Sequence, residues 1–404
     1  MDRRYTGVSR RRVLIASGAA LAISALTRPA PTWTISRNVS PYAVGTEASR
    51  ARAELAEQAI VRRNVRSLWG QPGVQLGKLV WPSSVADLSF LKWCYWWQAH
   101  LLDCAIDAAC RARDPERLHR VAALASGIRT RNLGGWTNRY YDDMGWLAIA
   151  LERADRLLDV RFGDAVGDLR DALIGGWNPV VGAVPWRFGD DYYNTPAIGP
   201  TGIAFARLGE VSRAGQLADF LHTRLRDPGS GLTLDGVHEP GGRVNRTTLT
   251  YCQGVAIGLE TELAVRTGES EHHRRVRELV AASGAGLTHG GVIAASGGDD
   301  SGLFMGILAR YLAEAALALG DTAAAKIVHD SARAAWDNRA EVDGLPLFGV
   351  DWSRPVTASG IPQLAARLVL SPGPPPSSVC PDLSVQLSGW MLLEADHRLT
   401  AAGL

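Results

Sequence analysis

Apolar residues recur at three- and four-residue intervals over most of the chain, the period that turns one side of an α-helix toward a core. The pattern predicts helices over Glu47–Leu68, Leu88–Ala112, Leu118–Ile128, Trp146–Leu158, Ala165–Leu173 and Thr201–Leu208. It continues over Arg213–Leu225, Tyr251–Val265, His272–Ala282, Leu303–Leu319, Ala323–Trp336 and Leu387–Leu399. Strand-like alternation is scarce, so the chain reads as all-α. Short turns close one helix and open the next: Arg113-Asp114-Pro115, Phe162-Gly163-Asp164, Leu208-Gly209-Glu210, Thr267-Gly268-Glu269 and Leu319-Gly320-Asp321. In most of them Gly takes the left-handed conformation that ends a helix, and the acid favours the start of the following one. These turns and the terminal helix predict about six helical hairpins, which either close into a ring, an (α/α)6 toroid, or stack as an open solenoid. Long, aromatic and Gly-rich return loops favour the ring, with the loops gathered at one mouth. The Pro-rich stretch Ser371–Pro381 reads as a loop delivering the last helix, not as a domain boundary.

The amino terminus breaks the pattern. Arg10-Arg11-Arg12 stands directly before a short apolar run ending at Leu26, which is too short for a comfortable membrane span of about 20 residues. Residues 1–30 therefore read as a twin-arginine export signal and 31–46 as a tether, followed by one domain over 47–404. A short anchor that stays attached is the competing reading. At 404 residues and a formal net charge of +2, the chain can bury a large core but carries no basic stripe for nucleic acid. Its 13 tryptophans suit both core packing and stacking on sugar faces. The 5 cysteines lack metal-ligand spacing and read mostly as buried free thiols, a state that suits a protein exported already folded.

Candidate chemistry gathers at Tyr140-Tyr141-Asp142-Asp143-Met144-Gly145-Trp146. Burying one carboxylate costs several kcal/mol without partners, and burying two side by side costs more. One Asp could serve as a helix cap, so the residues alone leave catalysis and capping both open. Asp190-Asp191, beside Tyr192-Tyr193-Asn194, is the rival pair, and Asp299-Asp300 reads as a loop or capping element. Consecutive Cα atoms lie about 3.8 Å apart, so neighbouring carboxyl groups can reach the separation of about 5 Å that retaining glycosidases use. Such a pair also drives its two pKa values apart, which suits one acid and one nucleophile. No phosphate loop, nucleophile elbow or histidine ligand spacing competes. His272-His273 reads as a solvated helix face, and His100 as either a cleft residue or a hydrogen-bonded core histidine.

Taken in order, these pieces resemble glycoside hydrolase family 76, the endo-α-1,6-mannanases related to fungal wall proteins of the Dfg5/Dcw1 kind. The resemblance runs from about Ala53 to Trp336 and rests first on Tyr141-Asp142-Asp143 with Trp146. Tyr95-Trp96-Trp97-Gln98-Ala99-His100, Gly176-Trp177 with Trp186 and Asn194, Tyr251-Cys252-Gln253-Gly254, and Phe304-Met305-Gly306 support it. It implies an (α/α)6 fold and retaining cleavage of α-1,6-linked mannose chains, with Asp142 as nucleophile and Asp143 as acid/base. It also implies that Tyr141, Trp146, Trp97, His100, Trp186, Asn194, Tyr251 and Gln253 contact substrate, with no metal or cofactor. The implied partner is α-mannan or a mannose-containing polysaccharide or glycolipid, with no nucleic acid and no stable protein partner. Cys252 and Met305 stand where the family usually has Asn and Lys. These departures keep open a non-catalytic mannan-binding protein, beside a transglycosidase acting on the same glycans. Another toroid enzyme, such as an epimerase, would need a cleft-facing histidine pair that is not found.

Overall fold

The computed structural model describes residues 34–35, 47–356 and 382–404. The segment that reads as an export signal, most of the stretch that reads as a tether, the Pro-rich stretch and Cys380 lie outside them. Twelve long helices carry the fold. They are α1 (Glu47–Arg63), α2 (Tyr95–Arg111), α3 (Pro115–Arg131), α4 (Tyr141–Leu158), α5 (Ala165–Gly175) and α6 (Thr195–Arg207), then α7 (Val211–Arg224), α8 (Thr250–Thr267), α9 (Ser270–Gly286), α10 (Phe304–Leu319), α11 (Thr322–Asp337) and α12 (Leu383–Ala401).

The even-numbered helices pack on one another in sequence, and α12 returns to α2, closing an inner ring. Each odd-numbered helix from α3 to α11 backs the inner helix before it, while α1 backs α12. The sixth hairpin is thus made from the two ends of the described body, which is why only five interhelical turns were visible. The architecture is an (α/α)6 toroid. Because the short turns all lie at one end, the inner helices run in the same direction. Their N-termini meet the long loops 64–94, 132–140, 176–194, 225–249 and 287–303 at the other end, the mouth.

The boundaries that differ from the sequence pattern have local causes. The first helix stops at Arg63, because Val65–Ser67 (β1) pairs antiparallel with Gln75–Gly77 (β2). Val85–Leu88 is a separate one-turn helix with a Ser84/Asp87 capping box, and the left-handed Phe90 (φ 54°) separates it from α2. The sixth helix starts at Thr195, ahead of the predicted Thr201, with Pro196 in its first turn and Pro200 inside it. Proline costs no hydrogen bond in a first turn, but an interior Pro hides the periodicity around it. Short strands also appear at the mouth, where Tyr192–Asn194 (β3), Leu234–His238 (β4) and Arg243–Thr248 (β5) form an antiparallel sheet in the order β3-β4-β5.

Two kinds of contact draw the inner ring tight. At the seams backbone meets backbone: a Cβ on Gly254 would lie 2.9 Å from the Leu308 Cα, and one on Gly306 would lie 2.7 Å from the Ser388 Cα. In the centre, Arg153 of α4 and Arg310 of α10 share Asp103 and Asp107 of α2. Arg153 Nη2 lies 2.5 Å from Asp107, and Arg310 lies 3.2 Å from Asp103 and 2.6 Å from Asp107. Arg153 also pairs with Asp103. Burial alone would raise the Asp107 carboxyl, but the two guanidinium groups outweigh it and hold the group below the usual carboxylate range. Nearby, Arg207 of α6 reaches Glu262 at 2.6 Å and Glu314 at 3.2 Å, while Arg111 bridges Glu57 and Glu394. Cys94, Cys104, Cys110 and Cys252 are buried.

His272 departs from the solvated face expected for it. It is buried, with Nδ1 2.6 Å from Glu260 of α8, so it ties α9 to the inner ring. The hydrogen bond to Glu260 raises its pKa and burial opposes that rise. A folded pKa above the unfolded value means that the pair's stabilisation is complete below about pH 6.5 and is lost as pH rises through the folded value. His272→Gln should therefore cost about 1 kcal/mol in acid and little in alkali. Chemical denaturation at about pH 5.5 and pH 9 checks this, and an equal cost at both would refute it. Arg310→Met should cost about 3–5 kcal/mol, because it strands two buried carboxylates around one guanidinium. A change in thermal midpoint too small to match that loss would contradict the role given to the pair.

Candidate active site

The first turn of α4 carries two buried carboxylates. Asp142 is 1% exposed and Asp143 is 7% exposed. Tyr140 takes the extended N-cap position and makes no side-chain capping bond, so neither Asp is the cap. The Asp143 N–H donates to Asp142 Oδ1 at 2.8 Å, satisfying one orphan amide of the helix start. Trp186 Nε1 donates to Asp142 Oδ2 at 3.1 Å, and Asn138 Nδ2 donates to Asp143 Oδ2 at 2.8 Å. Each carboxylate is therefore held by a donor from a different mouth loop. Hydrogen bonds of this kind offset part of the cost of burying a carboxylate.

Local backbone bonding puts those donors in place. The Tyr141 N–H donates to the Trp186 carbonyl at 2.9 Å, and the Phe188 N–H to the Arg139 carbonyl at 2.8 Å, lacing loop 176–194 to loop 132–140. The Tyr140 ring meets Trp186 edge-on at 5.4 Å. Asn138 also accepts the Tyr140 N–H at 2.8 Å, so one side chain sets the helix entry and holds Asp143. The Tyr141 ring lies over Gly176, where a Cβ would come within 2.3 Å of it.

Aromatic rings line the inner-helix ends beside the pair. His100 lies between Trp146, at 4.5 Å between ring centres, and Trp96, at 5.7 Å. Tyr251 stacks on Phe304 at 3.8 Å, and Phe304 in turn reaches Trp96. Burial pushes the His100 pKa down to about 3, so its ring is neutral, and Nε2 has no hydrogen-bond partner among the described residues. Asn194, which begins α6, likewise keeps a buried Oδ1 without a partner among the described residues. Orphaned buried acceptors are rare in native structures unless a ligand or water completes them. Tyr95 donates its hydroxyl to the Trp136 carbonyl, and burial followed by the charge of Asp143 raises its phenol pKa.

Among the residues expected to contact substrate, Gln253 has its amide taken up by backbone. Gln253 is fully buried. Its amide accepts from the Thr233 N–H at 2.7 Å and donates to the Thr233 carbonyl at 2.8 Å, so it clamps the chain entering β4. Trp97, in the first turn of α2, is 1% exposed, as buried as Asp142. Trp146, Trp186, His100, Asn194, Tyr141 and Tyr251 do sit around the mouth-end of the ring. Asn138 was missed; its only signal is an Asn placed to form a short turn two residues before Tyr140. Of the rival pair, Asp190 is taken by Arg187 at 2.7 Å, and the exposed Asp191 lies 2.9 Å from His238. Asp299 begins a 3₁₀ turn leading into α10, in keeping with a loop element. Cys252 and Met305 are both buried, with the Cys252 Sγ 4.0 Å from Asp235. Asp235 accepts from the Tyr192 hydroxyl at 2.5 Å and from Asn245 Nδ2 at 2.9 Å, a group that the helical pattern hid.

The profile of the glycosyl hydrolase family 76 matches residues 51–368. Among solved structures, an alpha-1,6-mannanase from Salegentibacter sp. HEL1_6 is 27% identical, with a TM-score of 0.72, covering 86% of this chain and 98% of its own. An inactive variant of that enzyme, altered at two consecutive aspartates, has been solved in complex with alpha-1,6-mannotetrose. The Lin0763 protein from Listeria innocua is 24% identical with a TM-score of 0.74, covering 87% of this chain and 97% of its own. Dfg5 from Chaetomium thermophilum shares the fold at 15% identity and a TM-score of 0.65, covering 88% of this chain and 92% of its own. No curated protein matches by sequence.

Because a Cβ on Gly176 would enter the Tyr141 ring, Gly176→Ala should destabilise the protein by about 1–3 kcal/mol. A thermal midpoint equal to the parent's would show that the ring can move aside without cost.

Proposed function

We propose what this chain does from one premise: it belongs to glycosyl hydrolase family 76. On that basis it is an exported retaining glycosidase that cleaves α-1,6-linked mannose chains in mannan or in a mannose-containing envelope glycan. The observation that carries this reading is the buried pair at the start of α4, with Trp186 on one carboxylate and Asn138 on the other.

Asp142 is the nucleophile. The Asp143 N–H holds one of its oxygens and Trp186 Nε1 the other. Its oxygen bonds to the anomeric carbon as the glycosidic C–O bond breaks, and Asp143 gives its proton to the departing oxygen. In the second half, Asp143 takes a proton from water, the water oxygen bonds to the anomeric carbon, and the ester to Asp142 breaks. Two inversions leave the configuration retained. Where a sugar hydroxyl replaces that water, the same site transfers the glycan instead. The neutral His100, Asn194 and the surrounding aromatic rings supply polar and stacking contacts to the sugar.

Support for the substrate class comes from the likeness to a mannanase whose inactive variant holds an alpha-1,6-linked mannose oligomer. Support for export is the arginine run before the apolar segment ending at Leu26. The second reading, a non-catalytic mannan-binding protein, rests on Cys252 and Met305, which stand in the first turns of α8 and α10 where the family usually has Asn and Lys.

Asp142→Asn and Asp143→Asn should each lower turnover of α-1,6-mannotetraose by at least about a thousandfold while leaving the fold intact. Full activity in either variant would sink the assignment. Early products followed by NMR should carry the α configuration, and a β first product would overturn retention. Sugar binding by the parent without hydrolysis or transfer would favour the binding-protein reading.

A further inference from the structure

Large apolar side chains that stand exposed are not scattered over this molecule. Among the described residues Val265 and Leu404 lie elsewhere, and all the others stand on mouth loops. Trp69, Val85, Leu88, Leu91 and Leu133 occupy loops 64–94 and 132–140, with Val180 and Phe188 on loop 176–194. Val85 is 85% exposed, Leu91 68% and Leu133 53%. Monomeric soluble proteins seldom gather so many large apolar side chains on one face without using them.

This rim is built, not frayed. Trp69 Nε1 donates to the Ser89 carbonyl at 2.7 Å. Arg131 donates to the Phe90 carbonyl at 2.8 Å and to the Leu91 carbonyl at 3.0 Å, fastening the loop to the end of α3 next to Leu133. The backbone is also held where bulky residues rarely go: Trp69, Phe90 and Leu133 have φ of 50°, 54° and 58°. Each such residue costs about 1–2 kcal/mol. At Trp69 and Leu133 the strained backbone still leaves an apolar side chain 37% and 53% exposed.

The charge around the rim identifies what covers it. Lys92 and Arg139 are exposed and meet no acidic partner among the described residues, and Arg66 is exposed within β1. Asp87, the acid within the apolar loop, is occupied by the Ser84 cap. Apolar side chains including a tryptophan, with Lys92 and Arg139 on the same loops and matched by no acid among the described residues, suit a lipid–water interface with anionic headgroups. We infer that the mouth face of this protein docks on an anionic lipid surface, with Trp69, Leu88, Leu91 and Leu133 entering the interface. Glycan chains rooted in that surface would then meet the mouth close to their point of attachment.

The inference does not depend on the catalytic assignment, and binding tests it directly. A chain beginning at Glu47 contains every helix of the ring and lacks the apolar amino-terminal segment. That chain and the full-length protein should be sedimented with phosphatidylglycerol/phosphatidylcholine vesicles and with phosphatidylcholine vesicles alone. The shorter chain should bind the anionic vesicles, more weakly at high salt, and bind the neutral ones poorly. Leu88→Asp combined with Leu91→Asp should lower that binding by at least about tenfold, leaving thermal unfolding and soluble mannotetraose turnover unchanged. Lys92→Glu with Arg139→Glu should remove the preference for anionic vesicles. No binding by the shorter chain, or undiminished binding by the Leu88/Leu91 variant, would overturn the proposal. So would self-association in solution that the same variant abolishes in the absence of vesicle binding, since the rim would then join two copies of the chain.

Discussion

Two guanidinium groups shared between two carboxylates in the dry centre of the ring set the geometry on which the rest depends. Asp103 and Asp107 lie one helical turn apart on α2, so both face the same way. Arg153 and Arg310 approach them from α4 and α10, which fixes the rotation and depth of three inner helices at once. Arg153 follows Asp143 along α4 by about 15 Å of helical rise. Pinning one end of α4 at the centre therefore decides where the other end emerges. A buried ion pair adds little net stability compared with an apolar core, but removing one member strands the other. In this ring its effect is chiefly to specify register.

The inner helices divide their labour by height. Their C-terminal halves carry the paired charges of Arg111, Arg153, Arg207, Glu262, Glu314 and Glu394. Their N-terminal turns carry aromatic rings, Asn194 and the two aspartates. This split follows from the shared direction of the helices. Parallel N-termini converge on the mouth, where each contributes partial positive charge and unsatisfied N–H groups. Elsewhere in the ring buried carboxylates are offset by arginines, and at this end the helix N-termini also contribute.

Much of the ring was legible from periodicity and from the turns that end one helix and start another, because both reflect local rules. The boundaries that failed did so where a local rule yields to a tertiary one. Pro196 and Pro200 obscure the start of α6, and the β4–β5 hairpin carries too little alternation to stand out. Residue type alone also did not show that the Gln253 amide serves the backbone of Thr233, and it misled at His272, which is drawn inward by Glu260. Asp142 and Asp143 were legible as a pair because aromatic neighbours implied burial. Their partners Trp186 and Asn138 come from two different loops, and no spacing along the chain announces that they meet.

Specificity has to reside mostly in the loops, because the ring is committed to holding its own shape. At the departures Cys252 and Met305 ring and loops meet. Both stand in the first turns of inner helices, where the wall of the mouth is built. Cys252 lies beneath Asp235, whose carboxylate also gathers the Tyr192 hydroxyl and Asn245 from the mouth sheet. A thiol is a weaker hydrogen-bonding partner for a carboxylate than an amide would be. Asp235 thus leans on Tyr192 and Asn245 for its orientation. An altered core residue can retune this wall of the mouth without changing the chemistry at Asp142 and Asp143, which is held by other donors from other loops.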